Sequence, residues 1–243
     1  MTDSLLLAAA RLNTFQQQLL LTNASGFFFA RDGHLYLVTS RHVMIDENSN
    51  HFPDRIEIEL HIDPINLTQS MGFSIPLYRN GVAVWRQGTD SAGEVDVAVI
   101  ELEQAALPAG MVYRAFTPDH LFNQQNQITL GSSVLVVGFP LGVHDTLHHM
   151  PVVRHAIVAS GFGLRFQGKG YFLTDGRTHR GTSGAPVVLH VIRNNLPDDD
   201  FPWLLLGVHS SRIDVGSRDL VEDEHLGLNA TWYADILLTL TNP

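Results

Sequence analysis

Apolar residues along this chain come in short runs separated by turn residues, with few stripes at helical spacing. The runs predict strands over 17–22, 26–30, 34–39, 55–62, 73–78, 81–86, 96–102, 133–138, 152–160, 170–174, 185–192 and 203–209. So many short strands in 243 residues suit antiparallel sheets closed or nearly closed into barrels, because closure removes unpaired edges. The pattern alone equally allows a sandwich. Two segments predict helices: residues 3–12, rich in leucine and alanine, and 231–240, with aromatic and aliphatic side chains at helical spacing after Asn229 as a cap. Between 111 and 128, Pro118, Asp119 and the Asn/Gln-rich 123–127 interrupt the pattern and divide the chain into 1–118 and 119–243.

Gly181-Thr182-Ser183-Gly184-Ala185-Pro186 carries the sharpest chemical signal. Glycine adopts backbone angles that a side chain forbids, so this turn can aim Ser183 outward while the N–H groups of Gly181 and Ser183 point into one hollow. A serine hydroxyl is a weak nucleophile at neutral pH and needs an imidazole to take its proton and a carboxylate to orient that imidazole. His42 lies where the apolar run Leu37-Val38-Thr39 breaks into Ser40-Arg41, and Asp96 opens Asp96-Val97-Ala98-Val99-Ile100. A carboxylate leading a buried strand is costly unless something pairs with it, and a histidine N–H is a natural partner. Taken singly, a Gly-x-Ser-Gly is an ordinary tight turn, an Asp before a strand is an ordinary cap, and 13 histidines put one near any motif.

The order His42, Asp96, Ser183, in these local contexts, resembles the trypsin/chymotrypsin-like serine proteases. Ser25-Gly26-Phe27, Gly138-Phe139-Pro140-Leu141-Gly142 and Thr174-Asp175 resemble the bacterial HtrA-like and glutamyl-endopeptidase-like branches more than the digestive enzymes. The likeness runs over residues 20 to 215. It implies an all-β fold of two antiparallel β-barrels with a C-terminal helix, a catalytic His42-Asp96-Ser183 triad in the crevice between barrels, and an oxyanion hole from the Gly181 and Ser183 N–H groups. Thr182 stands where the digestive enzymes carry an aspartate that pairs with a newly cut N-terminus, so that activation switch is missing.

Leu206-Gly207-Val208-His209-Ser210 resembles the specificity strand of glutamyl endopeptidases, where the histidine and a threonine five residues before the nucleophile, here Thr178, bind a Glu or Gln side chain. A hydroxyl and an imidazole N–H can both donate to a carboxylate or amide oxygen, and Arg180 or Arg212 can add charge. Thr178, His209 and Ser210 are therefore the expected substrate-binding residues. The competing reading is a His209 satisfied by a buried hydrogen bond with no substrate role. Arg177 stands six residues before Ser183, where Lys/Arg specificity would call for an acid.

Net charge −10 argues against a nucleic-acid partner, which needs a basic face. Cysteine is absent, so packing must do what disulfides do elsewhere. The N-terminus is a poor signal peptide and no apolar run is long enough for a membrane helix, so a cytoplasmic location without membrane association is expected. His144, His148, His149 and His155 are read as loop histidines in preference to a zinc site, Asp198-Asp199-Asp200 as a solvated loop, and no metal or cofactor is called for. The expected partners are a protein or peptide substrate and a protein that activates or restrains the enzyme. The alternatives are a protease-like binding or regulatory module, inactive or switched on by a partner, and an esterase using the same triad.

Overall fold

Backbone pairing overrides helix propensity at the start of the chain. A computed structural model describes residues 3–122, 127–191, 201–213 and 226–242. In place of the helix expected over 3–12, a 3-10 turn at Ser4–Leu7, capped by Asp3 on the Leu5 N–H, leads into strand β1, Ala9–Gln16. Ala10, Leu12 and Thr14 are buried there while Ala9, Arg11 and Asn13 are half-buried, which is the period of a strand. The ladder to β2, Leu19–Arg31, outweighs what leucine and alanine prefer in isolation. β2 also absorbs the separate runs expected at 17–22 and 26–30, with the turn itself at Gln17, φ 54°.

With β3 (His34–Thr39), β4 (Arg55–His61), β5 (Ser70–Pro76), β8 (Trp85–Asp90) and β9 (Gly93–Leu102), these strands form a seven-stranded antiparallel sheet in the order β5-β4-β1-β2-β3-β9-β8. β6 (Tyr78–Arg79) and β7 (Val82–Ala83) make a small ribbon between its two edges, which approach one another where the Val84 N–H donates to the Leu77 carbonyl at 3.0 Å. The first unit is thus nearly closed. β10 (Ser133–Gly138), β11 (Val152–Val158), β12 (Tyr171–Asp175), β13 (Pro186–His190), β14 (Trp203–Arg212) and β15 (Leu228–Tyr233) close fully into a barrel, in the order β10-β11-β12-β15-β14-β13. The fold is all-β, as expected.

β15 corrects the second helix expectation. Residues 231–240 split into the end of this strand and a single helical turn, Ile236–Leu240. Asn229, Ala230, Thr231 and Trp232 are all buried, because both faces of the strand are covered: Ala230 and Trp232 pack into the core between the two units, while Thr231 and Asn229 meet Thr174 and Thr178. A run buried on both faces has lost the alternation that marks a strand. The Asp198-Asp199-Asp200 run, part of the 123–127 stretch and the end of the 185–192 run lie outside the described residues.

One apolar cluster fills the first sheet around Leu12, Phe28, Leu37, Ile56 and Ile100, and another fills the barrel around Val136, Phe172, Val187 and Leu204. The largest lies between them, where Phe27, Phe29 and Phe116 are fully buried and Phe116 packs at 5.7 Å from Phe27 and 5.0 Å from Phe201. Burial of each such ring stabilises the seam by about 1.5–3 kcal/mol.

At the edge of that seam sits Ser25, fully buried on β2. Its N–H donates to the Ser183 carbonyl (2.9 Å), its hydroxyl donates to the Gly181 carbonyl (2.7 Å) and accepts from the Phe139 N–H (3.0 Å), and its carbonyl accepts from Thr39 Oγ1 (2.8 Å). Gly138 is required beside it, since a Cβ there would stand 2.5 Å from Ser25 Oγ. Ser25→Ala leaves two backbone groups unpaired where water cannot reach, and a loss of about 2–4 kcal/mol is expected. Urea unfolding checks it: a lowered midpoint at constant slope is the expected result, and an unmoved midpoint would show that the seam does not depend on this hydroxyl.

Candidate active site

His42 rides on a single helical turn, Arg41–Met44, that follows directly from β3. One turn is not stable alone, so its orientation comes from its ties. The His42 N–H donates to Asp96 Oδ1 at 2.9 Å, and Nδ1 lies 2.7 Å from Asp96 Oδ2. Asp96 reaches both because β9 bulges there: Gln87 pairs with Ala98 and Thr89 with Glu94, so Val95, Asp96 and Val97 stand opposite the single Gly88. A bulge re-aims a side chain that a regular ladder would hold flat against its neighbours.

Ser210 Oγ also donates to Asp96 Oδ2. Burial works against the charge on Asp96, but the hydrogen bond and charge of His42 and the Ser210 hydroxyl outweigh it and hold the carboxyl below its ordinary range. Burial likewise works against protonation of His42. The Asp96 hydrogen bond and charge, with a smaller contribution from Asp46, prevail and raise the imidazole above its ordinary 6.5.

Ser183 comes from the loop between β12 and β13. Gly181 and Gly184 adopt φ 90° and φ 85°, and a Cβ on Gly184 would stand 2.2 Å from both the Ser25 carbonyl oxygen and Thr39 Oγ1. The loop is pinned by the Gly184 N–H on the His209 carbonyl (2.8 Å), the Ala185 N–H on the Thr182 carbonyl (2.9 Å) and the Leu141 N–H on the Arg180 carbonyl (2.6 Å). Ser40, the residue that opens the His42 turn, donates its hydroxyl to that same His209 carbonyl at 3.2 Å. One carbonyl oxygen therefore gathers the segments carrying His42 and Ser183. Among the described residues, the N–H groups of Gly181 and Ser183 donate to no backbone carbonyl. No hydrogen bond joins Ser183 Oγ to His42 in the same set.

Thr178, His209 and Ser210 are all buried. Thr178 Oγ1 donates to Asn229 Oδ1 at 2.5 Å, and the Asn229 amide is held by the carbonyls of Gly176 and Gly227 at 2.8 Å each. Among the described residues His209 Nδ1 has no hydrogen-bond partner; burial, with the nearby His42, lowers this imidazole to about 4. A buried hydrogen bond therefore does not account for that nitrogen. Ser210, expected among the substrate-binding residues, gives its hydroxyl proton to Asp96. A second bulge, with Ser210 and Ser211 opposite Ala230, turns it there.

Asn229 and Ser25 have roles that motif reading missed, and both are polar residues buried beside apolar strand positions. Such residues must find partners, which is the signal that could have found them. Of the histidine cluster, His144 Nδ1 bonds the Gly142 carbonyl (2.6 Å), His148 pairs with Asp145 (2.7 Å) and His155 with Ser133 (2.6 Å). Among the described residues no three His, Cys, Asp or Glu side chains are grouped so as to hold a metal ion. No helix among them is long and apolar enough to cross a membrane.

Comparison with known proteins bears on this geometry in three ways. No curated protein matches the chain. A solved structure of the serine endoprotease from Yersinia pestis is similar in fold, with a TM-score of 0.54 and 15% identity over 96% of this chain; the chain spans 61% of that one. Residues 24–191, which include His42, Asp96, Gly181 and Ser183, match the model of the trypsin-like peptidase domain, with His209, Ser210 and Asn229 beyond its end. Sequence match, all-β architecture and site geometry lead to one conclusion: the chain belongs to the trypsin-like peptidase domain family.

Proposed function

We propose that this protein is a serine endopeptidase acting through His42, Asp96 and Ser183. The observation that carries the reading is the double tie of Asp96 to the backbone and ring of His42, at 2.9 and 2.7 Å, beside Ser183, where the Gly181 and Ser183 N–H groups donate to no backbone carbonyl among the described residues. Asp96 on Nδ1 leaves Nε2 as the base. His42 takes the Ser183 proton as Oγ attacks the peptide carbonyl, then returns it to the leaving amine; water repeats the cycle on the acyl-enzyme. The Gly181 and Ser183 N–H groups stabilise the oxyanion, each donor contributing about 2.7–4 kcal/mol in comparable sites.

The substrate is a protein or peptide with Glu or Gln before the cleaved bond. With His209 lowered to about 4, the ring is uncharged at neutral pH and supplies one N–H to an acceptor. Thr178, the second group expected to bind that side chain, gives its hydroxyl proton to Asn229, so it can accept from a Gln amide but must release Asn229 to donate to a Glu carboxylate. One observation favours a second reading, a module switched on by a protein partner: the Ser183 hydroxyl is not hydrogen-bonded to His42 among the described residues. Catalytic hydrogen bonds in unliganded sites are often long, which keeps the first reading ahead.

A fluorophosphonate probe is expected to label Ser183, with labelling lost in Ser183→Ala and His42→Ala and kcat/KM lowered by about 10⁴-fold or more. Folded wild-type protein that takes no label would favour the partner-activated reading, and addition of candidate partners would test it. Labelling should rise with pH through a midpoint above 6.5, because His42 must be neutral to act and its pKa is raised. Asp96→Asn should move that midpoint down as it lowers the rate; a midpoint unchanged by Asp96→Asn would dissociate the titration from this pair. His209→Val should reduce preference for Glu or Gln over alanine at least about tenfold in a peptide library. An unchanged preference would place specificity elsewhere.

A further inference from the structure

We infer that Arg41 is a positioning residue, which clamps the His42 turn across the bulge that presents Asp96; the inference rests on the triad proposed above. The Arg41 side chain is largely buried, 14% exposed, and its donors go in three directions. Nε donates to Gln87 Oε1 on β8 at 2.7 Å, Nη2 lies 3.2 Å from Glu94 Oε1 on β9, and Nη1 and Nη2 reach the Ile45 carbonyl and Glu47 Oε1, both at 3.4 Å, just past the helical turn. Gln87 and Glu94 flank the bulge on its two strands. Glu94 and Asp96 both lie on β9, one at the edge of the bulge and one within it. One takes the side chain of Arg41 and the other that of the adjacent His42. A planar fork with several fixed donors can hold such a set at once, which a lysine ammonium on a flexible stem cannot.

The same placement sets the charge around the imidazole. His42 is faced by Asp96 from β9, by Asp46 and Arg41 from its own turn and the residues after it, and by His209 from β14. Arg41 opposes protonation of His42, whereas Asp96 and Asp46 favour it. Glu94 and Glu47 partly neutralise Arg41. Removal of Arg41 therefore takes away a cation and leaves two carboxylates unopposed, and both changes favour the imidazolium.

NMR titration of the imidazole carbon signals, with the His42 signal assigned through His42→Ala, reads this directly and requires no catalysis. Arg41→Gln should raise the His42 midpoint by about half a pH unit. Glu94→Gln, at a side chain 58% exposed whose loss the fold should tolerate, should lower it. Arg41→Lys should hold the midpoint near wild type while fluorophosphonate labelling slows about threefold to tenfold, since charge is kept and the fork is lost. A bystander cation would move the midpoints by its charge alone, so the labelling rate of Arg41→Lys is what separates positioning from charge. Unmoved midpoints, shifts of the same sign in Arg41→Gln and Glu94→Gln, or an Arg41→Lys protein that labels as fast as wild type would each overturn the assignment. Absence of labelling in wild type counts against the proposed chemistry instead, and the titrations still decide the role of Arg41.

Discussion

The hydrogen bonds of Ser25 hold the serine loop to the first sheet, crossing between the two units where their apolar faces meet. Apolar packing brings surfaces together without fixing their register to fractions of an ångström. Directional bonds from one buried residue to Ser183, Gly181, Phe139 and Thr39 do fix it. The Gly181 turn and the end of β3, which leads straight into the His42 turn, are thereby referenced to one point. The glycines nearby follow from this constraint: Gly138 and Gly184 have no side chain because Ser25 occupies the space where one would stand.

A second convergence supplements the first. The His209 carbonyl accepts from Ser40 and Gly184, Ser210 donates to Asp96, and the intervening backbone is β14 of the barrel. The barrel thus supplies the serine loop and also steadies the histidine and aspartate that the first sheet contributes. Bulges in β9 and β14 make this reach available, since a regular strand would turn Asp96 and Ser210 toward different neighbours. Charge follows geometry, with Asp96 lowered and His42 raised by one another across their shared hydrogen bond.

The residues of the site were legible where chemistry imposes local sequence. Ser183 needs glycine on both sides at particular backbone angles, and Asp96 needs an apolar strand behind it, so both left marks in their immediate neighbours. What escaped notice was set by distant partners. Residues 9–12, read as part of a helix over 3–12, are strand because β2 pairs with them, and 228–233 lose their alternation because a barrel covers one face and the first sheet the other. Ser210 was legible as a neighbour of His209, but its service to Asp96 depends on a bulge whose register involves Ala230, far along the chain. Arg41 looked like a residue of the histidine motif. Its partners, Gln87 and Glu94, become visible only once the β8–β9 register is known.

β15 closes the barrel between β12 and β14, and its Asn229 holds Thr178 in place. It is also the last strand in chain order among the described residues. While the protein is being synthesised, therefore, His42 and Asp96 leave the ribosome long before the barrel that completes their surroundings can shut. A nascent chain carries His42, Asp96 and Ser183 without the closed barrel until residues 228–233 have emerged. The candidate site can therefore take its final shape only after β15 has emerged, whatever the earlier strands have already formed.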